Sequence, residues 1–95
     1  MKTGTTSTGF EFKFDERNAD DMRMVELIAL SEDETASEFQ KLAASTKILE
    51  MLLGKEQKAA LYDHISSFND GRVPIGELMK ALTEIMNAGG DSLKN

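Results

Sequence analysis

The chain has 95 residues, no cysteine, one histidine, one tyrosine and a formal charge of −6. That describes one small domain without material for disulfides, thiolate nucleophiles, zinc–thiolate sites or iron–sulfur clusters. A catalytic triad or a multi-histidine metal centre has almost nothing to draw on either, so no enzyme, cofactor or metal is expected. Hydrophobic residues make up 40% and charged residues 29%, the balance of a folded globular chain rather than a disordered one.

The charge is uneven. Residues 11–38 hold ten acids and three bases. A phosphate backbone is recruited by Lys and Arg that displace counterions, so nucleic acid is an unsuitable partner. The acids read as a solvated surface or as a face for a basic protein. No apolar run approaches the roughly 20 residues of a membrane span. The start, MKTGTTSTG, lacks the apolar centre of a signal peptide. The expected location is the cytoplasm.

In chain order, residues 1–9 are rich in Thr, Gly and Ser and read as a flexible tail. Phe10-Glu11-Phe12-Lys13-Phe14 then alternates aromatic and charged residues with the period of a strand. One strand cannot satisfy its own backbone N–H and C=O groups. It must pair with a second copy, pair with a partner protein, or lie extended against the helices. Its phenylalanines either form an exposed edge or pack on their own helices.

A first helix is expected over 16–30, capped by Asp15 or Asn18, with Asp20 and Asp21 near its positive end. Met22, Met24, Val25, Ile28 and Ala29 share one apolar arc. Leu27 and Leu30 widen that arc beyond a single seam, so this helix should touch more than one neighbour. Residues 31–34 form an acidic break. Thr35 or Ser37 can cap a second helix over 36–53, and Ser37 with Gln40 also reads as a capping box. Gly54 is suited to end that helix, and a third follows over 55–68 with Leu61, Tyr62, Ile65 and Phe68 on one face. Asn69-Asp70-Gly71 marks a turn, and Pro74 suits the first turn of a fourth helix over 74–88. The fold class expected is therefore all-α, a small bundle of about four helices after a short extended segment. The single helical domain spans 10–90, and residues 91–95 form a second flexible tail.

Asn69 to Glu77 looks like part of an EF-hand loop, with Gly71 at its sixth position and Glu77 at its twelfth. The third position is then Phe68, which offers no oxygen to calcium. The segment reads as a helix–turn–helix corner, and a small helical regulatory adaptor with a degenerate EF-hand-like corner is the alternative function. His64 and Asp63 are adjacent, point about 100° apart on a helix, and do not converge on one reaction centre. The six methionines fill core space or line an adaptable partner groove.

The pieces also resemble a known family. The start Gly9-Phe10-Glu11-Phe12 leads to Asp20-Asp21-Met22 and Val25-Glu26-Leu27. Leu52-Leu53-Gly54-Lys55-Glu56-Gln57-Lys58, Leu61-Tyr62-Asp63-His64 and Asp70-Gly71-Arg72-Val73-Pro74 follow in order. Together these blocks are similar to the small tail assembly chaperones of long-tailed phages and prophages of Gram-positive bacteria, over roughly residues 9–95. The resemblance implies a non-enzymatic protein of the host cytoplasm that coats the tape measure protein and helps recruit tail tube protein around it. A helix-in-groove mode of binding fits such a role, and a homo-oligomer is compatible with it. The residues expected to meet a partner are Phe10, Phe12, Phe14, Met22, Val25 and Ile28.

Overall fold

The computed structural model describes residues 1–88. The chain is predominantly helical, with a two-stranded sheet at its N-terminus. Strands β1 (Lys2–Thr5) and β2 (Glu11–Phe14) run antiparallel, with Lys2 opposite Phe14, Thr3 opposite Lys13, Gly4 opposite Phe12 and Thr5 opposite Glu11. The expected tail over 1–9 is thus replaced by a hairpin. The unpaired backbone of Phe10–Phe14 finds its partner within the same chain, and β-branched threonines suit that ladder. The Thr6 amide donates to the Phe10 carbonyl at 2.8 Å, and the Gly9 amide donates to the Thr6 carbonyl at 2.9 Å. Gly9 takes φ +96°, where a side chain is disfavoured. The all-α expectation is corrected accordingly.

The expected first helix is divided in two. Asp15 caps a 3-10 turn over Glu16–Ala19, and Asp21 caps α1 (Met22–Ser31). Each aspartate accepts the backbone N–H two residues on and pairs with the same arginine's guanidinium, Asp15 with Arg17 and Asp21 with Arg23. A short carboxylate that captures a nearby amide competes with helix propagation. The helix therefore restarts after Asp21.

The expected second and third helices run as one element, α2 (Glu38–Ser67), whose two helical stretches meet at a kink at Gly54, and α3 follows over Ile75–Ala88. The described residues contain three α-helices rather than four. Ser37 and Gln40 complete the capping box at the start of α2. At Gly54 the backbone turns to φ 82°, ψ 166°, so the glycine bends the element without opening a loop. Side chains reach carbonyls at this break: Asn18 Nδ2 donates to Leu52 O at 3.1 Å, and Gln57 Nε2 donates to Leu53 O at 2.8 Å. The terminal segment expected over 91–95 lies outside the described residues.

One core joins all the elements. Ile48, Leu49, Leu52, Leu61 and Ile65 of α2 meet Met24 of α1, Leu78, Leu82 and Ile85 of α3, and the three hairpin phenylalanines. The Phe12 and Phe14 rings lie nearly parallel, 6.3 Å between centroids. Gly4 makes room for that pair, since a Cβ there would stand 2.7 Å from the Phe12 ring.

Candidate partner-binding groove

The six residues expected to meet a partner do not share one surface. Phe10, Phe12 and Phe14 are 8%, 5% and 4% exposed. They lie on the core side of the hairpin, so the exposed aromatic edge is replaced by the packing alternative. Alternation alone cannot tell which side of a strand faces the chain's own helices. Ile28 is half-buried and packs against the core. Met22 and Val25 are 69% and 52% exposed on the outer side of α1. These two alone among the six present substantial apolar surface.

A better-formed feature lies beside them. Where α1 packs along α2, an open groove of about 800 Å³ is lined by Leu27 and Leu30 of α1, by Met51 and Gly54 of α2, and by charged side chains at its rim. Helical spacing explains the α1 wall. Met24 points into the core, while Arg23, Glu26, Leu27 and Leu30 follow one another at intervals of three, one and three on the adjoining face. The α2 wall follows the same rule through Lys47, Glu50, Met51 and Gly54. The bend at Gly54 closes one end of the α2 wall, with Lys55 just beyond it. The wide arc of Leu27 and Leu30 is the signal of this face in the sequence. Met51 was marked only as one of six methionines that fill core space or line a groove, and the two lysines carried no signal, because their position depends on how α2 lies against α1.

The rim is polar and partly ion-paired. Arg23 is held by Asp21 at 2.7 Å, and Glu50 by Lys58 at 3.9 Å. The Arg23 guanidinium and backbone amide hold the Asp21 carboxyl below its ordinary pKa. The groove therefore combines an apolar floor with a charged rim.

No family model, curated protein or solved structure matches this chain.

Two other features of the sequence take definite places. His64 Nε2 lies 3.1 Å from the Thr8 hydroxyl, and its ring sits between Phe10 and Phe68 at centroid distances of 5.7 and 5.4 Å. Across the same turn the Ser7 amide donates to Glu84 of α3 at 3.1 Å, which lowers the Glu84 pKa. His64 and Glu84 thus pin the hairpin turn to two helices. The corner after α2 is closed by backbone bonds. The Gly71 amide donates to Ser66 O at 2.9 Å, and Asn69 Nδ2 donates to Ile65 O at 2.8 Å. Asp70 and Gly71 take φ values of 56° and 80° there. Among the described residues, no group of three or more His, Asp or Glu side chains could hold a metal ion. None of the described helices is long and apolar enough to cross a membrane.

Proposed function

We propose that this chain is a phage tail assembly chaperone, a non-enzymatic protein that binds the long helical tape measure protein and assists tail tube assembly in the host cytoplasm. The single observation that carries the reading is the open apolar groove between α1 and α2, with Met22 and Val25 exposed on the outer side of the same helix. A helix laid into such a groove buries its apolar stripe between two helices, the packing that helices make in a bundle. The order of sequence blocks from Gly9 to Pro74 supports the family. The surplus of acids keeps a coated complex from associating with its copies.

Co-expression with a tape measure protein, the long helical protein whose gene is expected beside this one, tests the reading. The expected result is a soluble complex that elutes as one species. Equal insolubility of the long protein with and without this chain would remove the proposal. Tail tube and tape measure genes flanking this one are the expected genomic setting.

A further inference from the structure

Both walls of the groove carry charges of both signs, but the unpaired ones differ by wall. Two of the rim charges are already neutralised, Arg23 by Asp21 and Glu50 by Lys58. Among the described residues the other three, Lys47 and Lys55 on the α2 wall and Glu26 on the α1 wall, have no ion-pair partner. All three are exposed. Unpaired positive charge therefore lines one side of the apolar floor, in a chain whose formal charge is −6.

We propose that the groove takes an amphipathic helix whose one flank is acidic, seated with that flank along Lys47 and Lys55 and its apolar stripe on Leu27, Leu30 and Met51. This rests on the helix-binding reading above and adds the chemistry of the partner. Lys47 and Lys55 stand four residues to either side of Met51 on the same wall, with the bend at Gly54 just before Lys55. The matching partner helix carries acids along one flank, beside apolar residues at the three- and four-residue spacing that makes a stripe. Exposed ion pairs contribute little each. The apolar floor supplies most of the affinity, and the lysines select which helix binds and which way it lies. A flank of lysines on the partner meets like charge on the α2 wall and is selected against.

Two synthetic helical peptides test this. Both carry the same Leu and Met stripe and glutamine on one flank. The other flank is glutamate in the first peptide and lysine in the second. Binding is read by fluorescence anisotropy at low salt. The glutamate peptide is expected to bind about tenfold more tightly, as two matched rim pairs give. The Lys47→Glu/Lys55→Glu variant should reverse the preference, and Met51→Asp should weaken both peptides. Circular dichroism melts of the variants confirm that they fold.

Equal affinity for the two peptides overturns the charge assignment while leaving helix binding intact. No binding of either peptide, alongside successful rescue of the tape measure protein, shows that the groove is not the contact surface. A dimer in sedimentation that Met51→Asp dissociates shows that a second copy covers the groove, and also overturns the proposal. Glutamate-selective binding without rescue upholds the groove chemistry and refutes the chaperone function.

Discussion

Gly54 holds a backbone conformation of φ 82°, ψ 166°, a region reached in practice by glycine alone. Open space surrounds the position where a Cβ would stand, so a substitution there acts through the backbone and not through a clash. Gly54→Ala is expected to lower stability by about 1–3 kcal/mol. At roughly 4–8 °C of Tm for each kcal/mol in a domain of this size, a thermal melt resolves the change. An unchanged Tm would mean that the bend is not required. The sequence marked Gly54 as a break point, because a glycine between two apolar-periodic stretches has few other uses. It did not tell whether the chain would leave the helix or bend within it. Hydrogen bonds from Asn18 and Gln57 to the carbonyls of Leu52 and Leu53 support the bend, and both depend on neighbours brought in by the fold.

Elements begin and end here through side chains that capture backbone groups. The start of α1 rests on Asp21 and the preceding 3-10 turn on Asp15. Hydrogen bonds from Arg17 bring Asp15 down from 3.8 to about 2, and Arg23 lowers Asp21 in the same way. A carboxyl whose pKa is lower in the folded chain binds its proton first in the unfolded chain. Its contribution is complete above the ordinary value near 3.8 and is lost as pH falls from there toward 2. Asp15→Ala/Asp21→Ala should therefore melt below the parent protein at pH 6, with the gap closing between pH 4 and pH 2. A gap that stays constant with pH would show that the carboxylate charges are not responsible. Strand β2 depends on a similar device. Gln57 Oε1 accepts from the Lys13 amide at 2.9 Å, and its Nε2 donates to the Lys13 carbonyl at 2.7 Å. A side-chain amide thus stands in for a neighbouring strand on an edge that would otherwise be open.

The whole molecule is held together by a hairpin whose first strand looks unstructured as sequence. Phe10, Phe12 and Phe14 are almost fully buried, and each buried phenylalanine is worth about 1.5–3 kcal/mol. Small domains have about 5–15 kcal/mol of net stability. Losing the strand that holds these three rings in place is comparable to that total. Deleting residues 2–8 should abolish the cooperative melt or send the protein into aggregates, read by circular dichroism and light scattering. A truncated protein with an unaltered melt would show that β1 is dispensable.

The main helical segments, the capping box at Ser37, the acidic break and the turn at Asn69-Asp70-Gly71 were legible because each is local, whereas the cap of α1 at Asp21 was not. Helical periodicity, a capping box and a left-handed turn are settled within a few residues. The width of the apolar arc on α1 already showed that this helix has more than one face to cover. What only the tertiary structure decided is non-local. The partner of Phe10–Phe14 proved to be Lys2–Thr5, because a β-ladder is made of backbone groups that any sequence carries. The side on which the phenylalanines lie follows from where the helices stand. The groove follows from setting α1 beside α2, which brings Leu27 and Leu30 opposite Met51 and leaves Lys47 and Lys55 along one wall. Spacing along the chain determines the faces of a helix, and packing between helices determines which face is left for a partner.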